Sequence, residues 1–332
     1  MHDNPGTVTQ PILCVEDAVV HFPVRQTLWR RLRGQPRQYV QALNQVRLEI
    51  HRGETLGIVG ESGCGKSTLA RALVGLLDAT EGRVRFQGKD IAGLRGAQRR
   101  AFNRQVQMIF QDPYGSLNPR MTVGQVLHEA LSVHRLCPPA EIPGRIAALL
   151  ELVRLPADAK DKLPHEFSGG QRQRIGISRA LAVEPQVLVA DELVSALDVS
   201  VQAQVVNLLL ELQDKLGLTV LFVAHDLRLV RHISHRVAVM YLGEVVEVGE
   251  TEALYETPLH PYTQALLRAA PSMDPDDRQR SVSLTGELPS PLSPPSGCRF
   301  HTRCPRAVPL CSQQRPILSA RPGGQRVACH LA

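Results

Sequence analysis

The sequence predicts an α/β fold built on a phosphate-binding loop, with an inserted helical subdomain and a small cysteine-bearing C-terminal module. Three observations predict it. Gly60-Glu61-Ser62-Gly63-Cys64-Gly65-Lys66-Ser67 fits G-x-x-x-x-G-K-[ST], between a strand-like run, 54–59, and a helical run, 67–77. Three later apolar runs end in polar residues: 106–110 before Gln111, 186–190 before Asp191-Glu192, and 218–224 before His225. Residues 123–181 carry the spacing of amphipathic helices and interrupt those strands.

The loop residues suit a polyphosphate. Gly60, Gly63 and Gly65 let the backbone wrap an anion, and Ser62 and Cys64 contribute inward N–H groups. The helix that follows, with Thr68 in its first turn, adds its positive end. Lys66 can reach the β- and γ-phosphates, and the Ser67 hydroxyl can ligate Mg²⁺.

Length and composition narrow the class. A chain of 332 residues with 43% apolar content can fill one large domain or two ordinary ones. No apolar run reaches the ~18 residues that span a bilayer. The polar Met1–Gln10 lacks a signal-peptide core, so the chain reads as cytoplasmic and soluble, or peripheral to something else. Part of the net charge of +6 lies in Arg25, Arg30, Arg31, Arg33 and Arg37. Such a stretch is a solvated basic loop or an attractor of anionic lipid or nucleic acid. Aromatics are 4% and do not interleave with the basic residues, which disfavours nucleic-acid binding.

In chain order, 12–15, 18–22 and 40–50 read as strands. Phe22, near the end of the second, is either a core residue or a platform for an adenine ring. Residues 82–88 form a strand and turn, 95–104 a charged helix, and 112–119 an irregular break. Ser168 caps a helix beginning Gly169-Gly170-Gln171, a second potential phosphate site. At the end of the next strand, Asp191 can hold Mg²⁺ through water and Glu192 can polarise an attacking water. The tight connection Ser195–Asp198 leads into a helix over 201–216. His225 ends the next strand at the phosphate-loop edge, within reach of a γ-phosphate. Residues 237–242 and 244–248 form a hairpin through Gly243, and 262–268 a helix. A Pro/Ser-rich stretch, 289–295, then introduces the tail with Cys298, Cys304, Cys311 and Cys329. In a reducing compartment clustered cysteines suggest metal before disulfide.

Taken together, the loop 60–67, Gln111, the signature Ser168-Gly169-Gly170-Gln171, the strand ending Asp191-Glu192, the loop 195–198 and His225 occur in the order of the ATP-binding subunits of ABC transporters. Over about residues 11–270 the chain resembles that family. Phe110–Arg120 and His260–Leu267 resemble its peptide and nickel importers, and Gly286–Pro291 with Gly297-Cys298-Arg299-Phe300-His301-Thr302-Arg303-Cys304-Pro305 is similar to the C-terminal extension of dipeptide and oligopeptide importers, the second dipeptide ATPase subunit above all.

The resemblance implies a nucleotide-binding domain over 1–270, with a helical subdomain at about 112–185, and an importer extension over 271–332. It implies ATP hydrolysis coupled to peptide import, with Phe22 on adenine, Lys66, Ser67 and Thr68 on phosphates and Mg²⁺, and Gln111 relaying nucleotide state. Asp191 assists Mg²⁺, Glu192 is the base and His225 holds the γ-phosphate. Ser168, Gly169, Gly170 and Gln171 serve the ATP held by a partner subunit, and Asp198 belongs to the same nucleotide interface. Leu193 departs from the family's proline and puts local rigidity in question.

The expected partners are a paralogous ATP-binding subunit or a second copy, two membrane permease subunits and an extracytoplasmic solute-binding protein, at the cytoplasmic face of the inner membrane. The four tail cysteines, whose spacing is not that of a zinc ribbon, are expected to ligate a 4Fe-4S cluster, with Zn²⁺ the alternative. The rival functions are import of another small solute such as nickel, a non-transport ABC ATPase acting on nucleic acid or ribosomes, and a small-molecule kinase or GTPase. One loop copy and no sustained heptads weigh against the second, and the signature with His225 against the third.

Overall fold

A computed structural model describes residues 10–26, 36–269 and 286–332. Most of the arginine-rich run, 27–35, lies outside them. Two sheets organise the rest. A four-stranded antiparallel sheet has the order β2-β1-β4-β5, from β1 (Leu13–Pro23), β2 (Tyr39–Ile50), β4 (Glu81–Phe86) and β5 (Lys89–Asp90). The larger sheet includes β3 (Thr55–Val59), β6 (Val106–Ile109), β7 (Val187–Asp191), β8 (Thr219–Val223), β9 (Arg236–Tyr241) and β10 (Glu244–Glu250). It ends in two short strands from the tail, β11 (Ser319–Ala320) and β12 (Arg326–Val327), in the order β11-β12-β10-β9-β3-β8-β7-β6.

The five strands from β9 to β6 run parallel. Their near-continuous apolar sequences follow from burial on both faces. Alternate residues feed two cores. Leu56, Ile58, Val187, Val189, Leu221 and Val223 pack toward the antiparallel sheet. Leu188, Ala190, Val220, Phe222, Val237 and Val239 pack toward the helices. All are essentially inaccessible, so a one-residue slip of any strand is blocked on both sides.

The runs 12–15 and 18–22 are one strand. Asp17, at φ 48°, interrupts its register with β2 and accepts two hydrogen bonds from Arg47. The helix after the phosphate loop is shorter than predicted: it spans Lys66–Leu73 and stops where Gly75 turns to φ +67°. The predicted break at 112–119 contains a short helix, Pro113–Ser116. Two unpredicted helices, Leu227–Ile233 and Thr251–Glu256, follow β8 and β10. Leu242 and Gly243, both at positive φ, close the β9–β10 hairpin.

The helical insertion is built from Val123–Val133, Ile142–Leu152 and Gly169–Leu181. Thr122 with Gln125 and Ser168 with Gln171 each form a capping box, which fixes where the first and third helices begin. No described helix is long and apolar enough to cross a membrane.

Past the undescribed residues 270–285, the tail lies against both sheets. The Gln41 N–H donates to the Pro291 carbonyl, and β12 pairs with β10 through Glu247↔Val327 and Val248↔Arg326. Phe300 packs edge-on against Tyr241, with centroids 5.2 Å apart, and against Tyr262 at 5.4 Å. His260 is buried beside this cluster. Its Nδ1 accepts from the Tyr262 backbone N–H, and the His260 backbone N–H donates to Glu247 Oε2.

Burial holds the His260 imidazole down at about 3, against 6.5 when free. The unfolded chain therefore binds the extra proton first, and the stability supplied by neutral His260 is lost as pH falls from about 6.5 toward 3. Burial raises the Glu247 carboxyl, whose titration has the opposite sign. His260→Asn keeps an acceptor for Tyr262. Denaturant melts from pH 7 to 4 should show a stability slope smaller than wild type by up to ~1.4 kcal/mol per pH unit.

Candidate nucleotide site

Parallel strands deliver their C-terminal ends to one edge, where open α/β sheets bind ligands. β3 leads into the loop 60–67, β6 toward Gln111, β7 into Asp191-Glu192 and β8 toward His225. Four distant stretches of sequence thereby meet.

The loop holds Gly60, Gly63 and Gly65 at positive φ. A Cβ on Gly65 would lie 2.4 Å from the Ala42 carbonyl oxygen. Ser62 and Gly63 form its exposed tip, while Cys64 is buried beneath, and burial raises its thiol. The Cys64 carbonyl accepts from the Gly243 N–H at 2.8 Å. Lys66 is folded back, donating to the carbonyls of Gly60 at 2.8 Å and Glu61 at 3.1 Å. Thr68 is half-buried in the first helical turn.

Two hydrogen bonds join the predicted residues across the edge. The Ser67 hydroxyl donates to Asp191 Oδ1 at 3.0 Å, and Gln111 Nε2 donates to Glu192 Oε2 at 2.7 Å. Burial raises the Asp191 carboxyl, opposed by the Ser67 hydrogen bond. Ser67, Asp191 and Gln111 are hard oxygen donors of the kind Mg²⁺ takes, beside the loop that receives phosphate.

Glu192 is held at φ 48°. Its N–H donates to the Val223 carbonyl, and its own carbonyl accepts from the Ser195 hydroxyl at 3.0 Å. In sequence Ser195 is only the start of the connection to the next helix; its hydroxyl, three residues beyond the acid, is the one signal of this contact. Glu192, Ser195, Gln202 and His225 line one small hollow, with the His225 ring exposed. Leu193, in the family's proline position, is fully buried and belongs to the helix-side core. Packing therefore holds the chain there.

Phe22 is 40% exposed. It pairs with Val40 on β2, two residues from the Ala42 carbonyl that touches Gly65. Tyr39, 43% exposed, pairs with Pro23 and sets its ring 6.5 Å from that of His21, on the face opposite Phe22.

The signature faces elsewhere. A Cβ on Gly169 would meet Leu197 at 2.9 Å, and one on Gly170 would meet Val201 at 2.4 Å. Ser168 N–H donates to Gln171 Oε1 at 2.9 Å, and no hydrogen bond among the described residues joins 168–171 to the loop 60–67. Asp198 is exposed at the start of the helix Val199–Leu216, its carbonyl accepting from Val201 and Gln202.

The tail brings its four cysteines together. Burial pushes the Cys298 thiol up to about 11, and Cys311, Cys329 and Cys304 each oppose its ionisation further. Burial also raises Cys304, with Cys329 and Cys311 adding to it. Among the described residues no group of three or more His, Cys, Asp or Glu is already arranged as a ligand set.

Known proteins match both parts of the chain. Residues 43–195 match the ABC transporter family, and 246–311 match the oligopeptide/dipeptide transporter C-terminal region. The chain is 51% identical over 324 residues to a putative oligopeptide transport ATP-binding protein, YkfD, of Bacillus subtilis, covering 97% of this chain and 95% of that one. It is 51% identical to the oligopeptide transport ATP-binding protein OppF of Salmonella typhimurium, covering 92% of each. Among solved structures, cbiO1 of Clostridium perfringens, part of the ABC transporter complex cbiONQ, matches with a TM-score of 0.63 at 29% identity, covering 75% of this chain and 92% of that one. The ATP-binding cassette MJ0796, a dimer bound to ADP and Pi, matches with 0.62 at 27% identity, covering 72% and 98%.

Gly65→Ala combines a strained φ of +107° with a backbone collision. It should cost at least ~1–3 kcal/mol in thermal unfolding and abolish binding of a fluorescent ATP analogue.

Proposed function

The chain belongs to the ABC transporter family of ATP-binding proteins, in its oligopeptide/dipeptide branch, and we propose that it is the ATP-hydrolysing subunit of a di- and oligopeptide importer. The observation that carries the reading is the meeting of the loop 60–67, Gln111, Asp191-Glu192 and His225 at one strand edge.

In this reading the backbone N–H groups of the loop and Lys66 hold the β- and γ-phosphates, and Phe22 stacks on adenine. Ser67, Asp191 and Gln111 would hold Mg²⁺, which neutralises phosphate charge when bound. Glu192 accepts a proton from water as its oxygen attacks the γ-phosphorus; the bond to the bridging oxygen breaks and ADP leaves. His225 donates to the γ-phosphate. The hydrogen bond from Gln111 orients the Glu192 carboxylate, so one residue touches both the metal position and the base.

The outward placement of 168–171 supports a two-subunit site. Each ATP lies between one loop and the partner's signature, the partner being a paralogue or a second copy. The dimeric cassette among the solved structures supports such pairing. A groove beside Gln111, lined by Leu76, Phe110, Val126, Val133 and His134, exposes three large apolar side chains: Leu76, Phe110 and Val133. We assign it to the membrane permease subunits, which places this chain peripherally on the cytoplasmic face. An extracytoplasmic binding protein supplies the peptide.

The tail thiols support a 4Fe-4S cluster, or Zn²⁺, held by Cys298, Cys304, Cys311 and Cys329, where it would brace a segment with few apolar residues. Anaerobic purification should yield iron with the chain, and Cys304→Ser should lose it. A colourless, iron-free and zinc-free protein refutes this assignment.

Glu192→Gln should lower ATP hydrolysis by ~10²–10⁴-fold while ATP binding persists. Light scattering should then find an ATP-dependent dimer, either of the variant alone or with the paralogue added. Hydrolysis at the wild-type rate removes Glu192 from the mechanism.

A further inference from the structure

We propose that Arg303, in the C-terminal tail, is a positioning residue of the nucleotide site, acting through Glu61 of the phosphate loop. The proposal rests on the reading of 60–67 as the ATP loop. Arg303 Nη1 donates to Glu61 Oε2 at 2.7 Å and Nη2 to Oε1 at 3.0 Å, the two-pronged arrangement that fixes a carboxylate in orientation. The Arg303 side chain is 5% exposed and that of Glu61 24%. This ion pair is therefore shielded from water to a degree most surface pairs are not.

Glu61 is the hub between the tail and the catalytic lysine. Its N–H donates to the Tyr262 hydroxyl at 2.9 Å. Its carbonyl accepts from the Cys64 N–H at 3.2 Å and from Lys66 Nζ at 3.1 Å. The carbonyl on which Lys66 rests thus belongs to the residue whose carboxylate Arg303 grips. Arg303 is itself fixed. Its N–H donates to the Phe300 carbonyl, Phe300 is buried on Tyr241 and Tyr262, and the guanidinium lies 5.9 Å from the Tyr241 ring centroid.

The charge logic is direct. A carboxylate in the first variable position of a loop that receives a polyphosphate repels its ligand. Arg303 cancels that charge and holds the carboxylate in one orientation through its two hydrogen bonds. Removing Arg303 leaves an uncompensated, partly buried anion beside the phosphates.

The test is binding of a fluorescent ATP analogue, and of adenosine, to the purified full chain. Arg303→Gln should weaken ATP binding by about tenfold while leaving adenosine binding unchanged. Arg303→Lys, which keeps the charge without the fork, should be about threefold weaker than wild type. Adding Glu61→Gln to Arg303→Gln should recover most of the loss, because the unpaired carboxylate is gone. Arg303→Gln binding ATP within twofold of wild type overturns the proposal. So does a double variant as weak as the single one. If Arg303→Gln fails to fold, Arg303→Lys decides, and unchanged affinity there overturns it. Wild-type chain that binds no ATP removes the ATP-loop reading itself, a separate outcome.

Discussion

The phosphate loop has no room for a side chain at either of the two glycines that press on the rest of the protein, Gly60 and Gly65. A Cβ at Gly60 would lie 2.2 Å from the Met240 carbonyl oxygen, and Gly65 is as closely pressed by Ala42. The loop is therefore seated between β2 of one sheet and the β9–β10 hairpin of the other. Its remaining side opens toward the strand ends that carry Gln111, Glu192 and His225. Both sheets have to be assembled, in register, for this seat to exist. That is why the fold devotes two cores to the flanks of five parallel strands.

The parallel strands and the residues at their ends were legible because each is local. A five-residue apolar run followed by a polar pair is visible in sequence, and the sheet needs only to align such runs. The caps were half legible. Ser168 announced its helix, whereas Thr122, with the same Gln three residues on, passed unnoticed before a segment already read as helical. Helix ends were less legible. Leu76 and Leu77 continue an apolar pattern, but the positive φ of Gly75 ends the helix first. The short helices after β8 and β10 offer too few turns for periodicity to register.

The tail resisted reading for a different reason. Its proline-rich entry and clustered cysteines suggested a small module with its own logic. In the structure Arg299 pairs with the buried Glu244, β12 extends the main sheet beyond β10, and Phe300 completes an aromatic cluster with Tyr241 and Tyr262. Glu61 fills a variable position of its motif, so nothing in the motif marks it. Its partner lies 242 residues away. Contacts of such separation leave no trace in local pattern.

The same separation has a consequence in time. On the ribosome the phosphate loop emerges early, and the arginine that grips it emerges about 240 residues later, with β12 later still. At ~5–20 residues per second the loop waits tens of seconds for its fastening. During that interval the β10 edge has no β12 beside it and the Tyr241–Tyr262 surface has no Phe300 over it. The nascent chain must therefore pass through a stage with an open strand edge and bare aromatic rings, the two features most prone to associate with other chains. The tail closes both, β12 covering the β10 edge and Phe300 covering the aromatic rings, so the late segment shields surfaces that the earlier segments leave open.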